Sequence, residues 1–243
     1  MNLNPINSRK RTEGFTLVEL LVVISIIGIL AGMVVGLAGV AGKKRKITRA
    51  KGDLARIQTA IADYETTYGQ RPPGNPETDI YTKNNLFTSL YYELSGMRYD
   101  SGTEAYTTLD KQHTLTVTGA SGDPGRDIGV SGIPGFVNAE EKAESFLNTR
   151  AKGYALVERD VGEVPFRLLI VEGETPNTSP KITGIVDGVV KEVNPWRYDE
   201  VTPEFNRQSY DLWVEIVVGE VKDPSSPANA PTFKQKVETI SNW

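Results

Sequence analysis

The feature that most constrains this chain is a long apolar run near its N-terminus. Residues 15–40 (FTLVELLVVISIIGILAGMVVGLAGV) contain a single charged side chain, that of Glu19. About 20 apolar residues suffice to cross a bilayer core, whereas the apolar part of a secretory signal is only about 7–15 residues long and precedes its cleavage site. Because this run is longer and its candidate small residue, Gly14, comes before it, the sequence predicts a transmembrane helix over 15–42.

A polar segment, residues 1–14, precedes the run and carries three cations at 9–11 (RKR). Together with this basic segment, the stretch Gly14–Glu19 (GFTLVE) resembles the cleavage site of the type IV pilin and pseudopilin family. The resemblance implies that a prepilin peptidase removes residues 1–14 as a leader, cutting between Gly14 and Phe15 on the cytoplasmic side. It also implies that the new amino group of Phe15 is methylated and that the apolar helix stays in the mature protein.

Glu19 has a physical interpretation that does not depend on this resemblance. A charged side chain at the middle of a bilayer costs roughly 2.5–3.5 kcal/mol on insertion scales, and somewhat less near a helix end. The carboxylate can extend to the lipid headgroups, or it can pair with a cation. Cleavage would create such a cation at Phe15, about one helical turn away. The resemblance implies that the cation belongs to a neighbouring subunit, which makes Glu19 a candidate assembly residue.

Three glycines of the apolar run, Gly28, Gly32 and Gly36, follow each other at intervals of four residues. This doubled G-x-x-x-G pattern lets membrane helices approach closely, and it makes the three residues candidates for helix packing. Glycine is also simply common in membrane helices, and the sequence favours neither interpretation.

The charges that flank the run conflict with the processing motif. Six cations lie at residues 43–51, against three before the run. The positive-inside tendency would place the carboxyl side in the cytoplasm, whereas the motif implies the opposite orientation. Because the motif is the more specific signal, we expect residues 43–243 to lie outside the cytoplasm.

An amphipathic stripe indicates that the helix continues beyond the membrane, over residues 43–69. Apolar residues recur at intervals of three and four, the spacing of one helix face. Gly69 and the Pro72-Pro73 pair then predict the end of the helix. The stripe consists of Ile47, Ala50, Leu54, Ile57, Ile61, Tyr64 and Tyr68.

The rest of the chain divides into an insertion, residues 70–150, and a strand-rich part, residues 151–243. Within the insertion, short helices are predicted at 86–94 and 140–148, a strand near 115–117 and a loop at 119–135. In the second part, strands are predicted at 166–171, 210–218 and 233–240, and a hairpin at 182–193 turns at Asp187-Gly188. The predicted fold class is α+β: a long N-terminal helix packed on a C-terminal antiparallel sheet domain.

Three C-terminal segments extend the resemblance to the major pseudopilins: residues 194–198 (NPWRY), 209–213 (SYDLW) and 240–243 (ISNW). In those proteins a loop after the Tyr-Asp strand binds calcium. Calcium takes six to eight oxygen ligands, and here the loop offers only Glu220 and Asp223 as carboxylates, with Lys222 between them. The sequence therefore predicts no cofactor or metal and leaves these two residues as weak calcium candidates.

Composition excludes several functions. The chain has no cysteine and one histidine, His113, so neither thiolate catalysis nor a multi-histidine metal site is possible. The net charge of −4 does not favour nucleic acid as a partner. No phosphate-binding loop or catalytic constellation is present, and we expect a protein that is not an enzyme.

These patterns predict a pseudopilin-like filament subunit of a type II secretion-like system. Its expected partners are prepilin peptidase, copies of itself and other pilin-like subunits, an inner-membrane assembly platform and membrane lipid. Its expected location is the inner membrane, single-pass, and then a periplasmic or surface filament. Two alternatives stay open: a type IV pilus subunit for adhesion, motility or DNA uptake, and a membrane-anchored binding module.

Overall fold

The computed structural model describes residues 16–74, 88–116, 136–139, 142–147, 153–157, 165–227 and 229–243, except for the side chains of residues 34–41. The chain divides into two compact units, Met1–Lys44 and Arg45–Trp243. The leader, the Gly14-Phe15 junction and the predicted loop at 119–135 lie outside the described residues.

Helix α1, Leu17–Tyr68, begins just after Thr16. Between residues 17 and 33 its apolar side chains are exposed, including Leu17, Ile24 and Met33. Across the described residues, no helix combines the length and the hydropathy of a membrane span. The transmembrane helix predicted over 15–42 includes side chains that are not described, and it stays a prediction.

The second half of α1 buries the face that the amphipathic stripe predicts. Five members of the stripe are buried and Ile47 and Tyr68 are partly buried against the same core. The helix ends where the sequence predicts, because Gly69 adopts a left-handed conformation (φ 70°) and its N–H donates to the Glu65 carbonyl at 2.8 Å.

The described part of the insertion forms a short helix and a three-stranded antiparallel meander. Helix α2 is Leu90–Ser95, and the strands are β1, Met97–Asp100, β2, Ala105–Thr108, and β3, Thr114–Thr116. They confirm a strand near the predicted 115–117 and a short helix in the region predicted at 86–94, although α2 begins at Leu90 and ends at Ser95.

The helix predicted over 140–148 is wrong for the residues that the structure describes there, 142–147, which are not helical. Tertiary partners take the backbone donors that a helix would use. Phe146 and Leu147 donate their N–H groups to the Leu94 carbonyl at 2.8 and 3.0 Å, and Glu144 donates its N–H to the Asn138 side chain at 3.0 Å.

The C-terminal part does not form the single sheet that the sequence predicts. Four strands close a small barrel in the order β4-β5-β7-β6. The barrel strands are β4, Tyr154–Val157, β5, Phe166–Val171, β6, Ile182–Val186, and β7, Val189–Pro195. The β6–β7 hairpin turns at Asp187 and Gly188, both with positive φ, which confirms the predicted Asp-Gly turn.

A separate three-stranded antiparallel sheet, ordered β10-β9-β8, completes the fold. Its strands are β8, Arg197–Asp199, β9, Asp211–Lys222, and β10, Phe233–Ser241. Only one residue, Trp196, separates β7 from β8, so the chain leaves the barrel and enters this sheet without a loop. The fold is α+β as predicted, with its strands divided among three sheets.

Candidate functional site

At the start of α1, Thr16 and Glu19 form a reciprocal capping box. The Glu19 carboxylate accepts hydrogen bonds from the Thr16 N–H and hydroxyl, both at 2.8 Å, and the Thr16 hydroxyl accepts one from the Glu19 N–H at 3.3 Å. Such a box satisfies backbone donors that would otherwise lack partners in the first turn. The Thr-x-x-Glu spacing that signals it stands in the sequence, and sequence reasoning missed it.

This capping box places the Glu19 carboxylate against Thr16, the second residue after the predicted cleavage point. It therefore adds a structural role to the two that the sequence left open, headgroup contact and pairing with a cation. Gly14 and Phe15 themselves lie outside the described residues, so cleavage between them and methylation of Phe15 stay predictions.

The described glycines of the apolar run have open space around them. A Cβ atom added at Gly28 or at Gly32 would meet no atom of the chain within 4 Å. Packing inside this chain therefore gives no reason for glycine at either position, and close approach of another helix stays a prediction. Gly36 lies among the residues whose side chains are not described.

A site that the sequence did not reveal lies against the second half of α1: the fully buried carboxylate of Glu93, which belongs to α2. Its Oε2 accepts hydrogen bonds from the Tyr64 hydroxyl at 2.9 Å and the Asn138 N–H at 3.0 Å. Its Oε1 accepts one from the Val137 N–H at 2.9 Å. In addition, the side-chain amide of Asn138 donates to the Glu93 main-chain carbonyl at 2.6 Å.

This network ties the long helix to the insertion. The Tyr68 hydroxyl donates to the Asn138 side-chain oxygen at 2.6 Å, and the Asn138 amide also reaches the Glu144 carbonyl at 2.7 Å. Burial raises the pKa of the Glu93 carboxyl, and its hydrogen bonds from Asn138, Val137 and Tyr64 partly offset the effect. Local patterns cannot reveal such a site, because Glu93, Tyr64 and Asn138 are far apart in sequence.

Asp211, in the second C-terminal segment, holds the loop before β9. Its Oδ2 accepts the N–H groups of Glu204 at 2.7 Å and Phe205 at 2.9 Å, and its Oδ1 accepts that of Asn206 at 2.8 Å. One buried carboxylate thus satisfies three consecutive backbone donors, which explains an aspartate at the start of this strand.

The last C-terminal segment contacts the residues on either side of Asp211. Asn242 accepts the Leu212 N–H at 2.9 Å and donates to the Tyr210 carbonyl at 2.9 Å. Next to it, Trp243 stacks on Phe205 with ring centroids 4.2 Å apart. The Tyr-Asp and Asn-Trp segments are therefore held together by hydrogen bonds, and the loop before β9 packs on them through Phe205.

The first C-terminal segment contacts the residues that follow the C-terminal end of α1. The Tyr198 hydroxyl donates to the Pro72 carbonyl at 2.7 Å, and Arg71 donates to the carbonyls of Gln208 and Ser209 at 3.2 Å. The three segments that carry the resemblance thus make the hydrogen bonds that connect the end of α1, the loop before β9 and the sheet of β8, β9 and β10.

The structure does not bring the two calcium candidates together. Glu220 is exposed within β9, where its register partner is Gln235. Asp223 follows the strand and pairs with the Lys234 ammonium at 2.9 Å. Ser225 and Lys234 lower the pKa of the Asp223 carboxyl to about 2, so this group is ionised at neutral pH. The carboxylates and lysine present here do not match the all-oxygen shell that calcium requires.

His113 lies just before β3, with its ring stacked on Tyr92 at a centroid distance of 5.9 Å. Burial, together with the nearby Arg167 guanidinium, lowers the pKa of His113 to about 4. Within the described ranges, no group of three or more histidine and carboxylate side chains is arranged to hold a metal ion.

An open cleft of about 550 Å³ lies between α1 and the barrel. Its walls carry charges of both signs. Arg49 pairs with Glu172, and Glu192 pairs with Lys181 at 2.9 Å. The residues that line the cleft carry more carboxylates than cations: Asp53, Glu172, Asp187 and Glu192 against Arg49 and Lys191.

Two sequence comparisons relate this chain to known proteins. Residues 9–35 match the family model of the prokaryotic N-terminal methylation motif. The chain is 33% identical over 104 residues to type II secretion system core protein G of Pseudomonas aeruginosa, an alignment that covers 37% of this chain and 73% of the relative. No solved structure matches the chain significantly.

A methylation-motif N-terminus, followed by a long helix whose second half packs on antiparallel sheets, is the arrangement of pilin-like proteins. Within that class, the chain belongs to the family of type II secretion system core protein G, the major pseudopilin family.

Proposed function

We propose that this protein is a pseudopilin: a structural subunit, not an enzyme, of a type II secretion-like system. The observation that carries the proposal is the methylation motif at residues 9–35, in a chain of the core protein G family. The subunit waits in the inner membrane, loses residues 1–14 to prepilin peptidase, is methylated at Phe15 and joins a helical filament with copies of itself and other pilin-like subunits. The expected work is mechanical, the movement of cargo outward by filament growth.

In this proposal Glu19 has two successive roles. In the precursor it caps α1 through Thr16. After cleavage, its carboxylate pairs with the amino group of Phe15 on a neighbouring subunit and neutralises a charge held in lipid. A glutamine at this position also completes a capping box but carries no charge. The pair of substitutions Glu19→Gln and Glu19→Ala therefore separates capping from pairing.

We expect Glu19→Gln to leave membrane insertion and cleavage intact and to reduce assembled filament by an order of magnitude or more. A stranded cation in a low-dielectric site is the physical reason. The measurement is sheared filament, or crosslinked oligomer, per unit of processed subunit, with Glu19→Asp expected between wild type and Glu19→Gln. If Glu19→Gln assembles like wild type while Glu19→Ala does not, capping is the whole role and the pairing must be abandoned.

The proposed orientation has its own test. We expect a reporter fused after Trp243 to be active only in the form that functions outside the cytoplasm, despite the cations at residues 43–51. Replacing Lys43, Lys44, Arg45 and Lys46 with glutamine is the matched control, and it should leave the result unchanged because the processing motif sets the orientation. Activity of a cytoplasm-restricted reporter alone would mean that the positive-inside tendency decides the topology.

A further inference from the structure

The loop that joins β9 to β10, residues 223–232, closes around a carboxylate that the chain itself neutralises. Asp223 is 8% exposed, and its Oδ2 accepts the Lys234 ammonium at 2.9 Å. Its Oδ1 accepts the N–H of Ser225 at 2.9 Å and the hydroxyl of the same residue at 2.7 Å. Both oxygens of this carboxylate are therefore occupied by donors from the loop and from β10.

The main-chain oxygens around the carboxylate are also engaged. The Asp223 carbonyl accepts the Ser226 N–H at 3.1 Å and the Ser226 hydroxyl at 2.7 Å. The Pro227 carbonyl accepts the Ala230 N–H at 3.1 Å, and the Thr232 carbonyl accepts the Asp223 N–H at 2.9 Å. A calcium ion needs six to eight oxygens at 2.3–2.6 Å, so it would compete with these internal hydrogen bonds for the same oxygens.

Glu220, the other calcium candidate, does not lie on the side of the hairpin where Lys234 meets Asp223. Glu220 pairs in register with Gln235, and Lys234 pairs with Val221. Because successive side chains of a strand point to opposite faces, Glu220 lies on the face opposite to that of Lys234. The Gln235 side-chain oxygen, on the same face as Glu220, is already occupied, because it accepts the Asn177 N–H at 2.7 Å.

We propose that the exposed Lys234 ammonium supplies the cation of this loop from the chain itself, at the place where the resemblance to major pseudopilins puts calcium, and that the hairpin therefore folds without calcium. An ammonium supplies three donors from a flexible stem and is held covalently in the chain. The loop then stays closed whatever the calcium concentration outside the cytoplasm. This inference uses the hairpin alone, so it can fail while the proposed filament function stands, and the reverse is also true.

The test is thermal unfolding of the full-length protein in detergent micelles, with a chelator or with excess calcium chloride. We expect the two midpoints to agree within about 1 °C, because a ligand shifts the midpoint only if it binds the folded state. Equilibrium dialysis with radioactive calcium should detect no stoichiometric binding. A midpoint several degrees higher in calcium, or one bound ion per chain, would overturn the proposal.

The lysine is tested by amide hydrogen exchange in the loop. Lys234→Ala should speed exchange at the Ser225 and Ser226 amides severalfold in either buffer, whereas Lys234→Arg, which keeps the cation, should restore slow exchange. Lys236→Ala is the matched control, because Lys236 is an exposed lysine of the same strand. If Lys234→Ala exchanges no faster than Lys236→Ala, the ammonium does not hold the loop and the proposal fails.

Discussion

Replacing Glu93 with alanine should lower the free energy of unfolding by about 3–5 kcal/mol, because each buried donor left without an acceptor costs about 1–3 kcal/mol. The substitution removes the acceptor of the Tyr64 hydroxyl and of the backbone N–H groups of Val137 and Asn138. The measurement is urea unfolding of the full-length protein in micelles, followed by tryptophan fluorescence. The loss should appear as a lower midpoint with an unchanged slope.

Two other substitutions make this result specific. Glu144→Ala removes an exposed carboxylate from the same insertion and should change stability by no more than about 0.5 kcal/mol. Tyr64→Phe removes one of the three hydrogen bonds to the carboxylate and should cost about 1 kcal/mol. Equal effects of Glu93→Ala and Glu144→Ala would show that the buried network does not hold the insertion on α1.

The same carboxyl gives the stability a pH dependence with a definite sign. Burial raises the pKa of Glu93 in the folded state above its unfolded value of 4.5, so the folded state retains this proton to a higher pH. The contribution is therefore fully present below pH 4.5 and is lost as the pH rises through the raised folded pKa. Glu93→Gln cannot titrate at this position, so the free energy of unfolding of wild type relative to this variant should fall as the pH rises above 4.5.

Gly14→Val should abolish removal of the leader. The family resemblance implies a peptidase site that closes around glycine, and the β-branched side chain of valine adds three carbons beside the bond to be cut. Mass spectrometry of wild type should give an N-methylated Phe15 at the mature N-terminus, whereas Gly14→Val should retain Met1. Without a free amino group at Phe15, the variant should enter no filament.

Thr12→Val is the matched control for this substitution, since it introduces the same side chain two residues earlier in the leader. We expect it to be processed like wild type. Normal cleavage of Gly14→Val, or a wild-type N-terminus beyond residue 40, would contradict the prepilin interpretation, whatever the behaviour of Glu19.

The amphipathic stripe, the end of α1 and the β6–β7 turn could be predicted from the sequence because each depends on residues that are close together in the chain. The three- and four-residue spacing from Ile47 to Tyr68 predicts a buried face, and the left-handed conformation of Gly69 ends the helix where glycine predicts. The Asp187-Gly188 turn fixes a hairpin for the same local reason. The helix expected at 140–148 failed because Leu94 and Asn138, distant in sequence, capture its backbone donors.

The sequence by itself determined the class of this protein. Its processing motif is contiguous in the chain, and the family model of the N-terminal methylation motif matches it over residues 9–35. The motif consists of the basic leader, the Gly14-Phe15 junction, Glu19 and the long apolar run. Only the tertiary structure decided that the strands divide between a barrel and a separate sheet, that Glu93 is buried under Tyr64, and that Lys234 meets Asp223. Each of these depends on groups far apart in the chain, brought together by burial and by the need of every buried polar group for a partner.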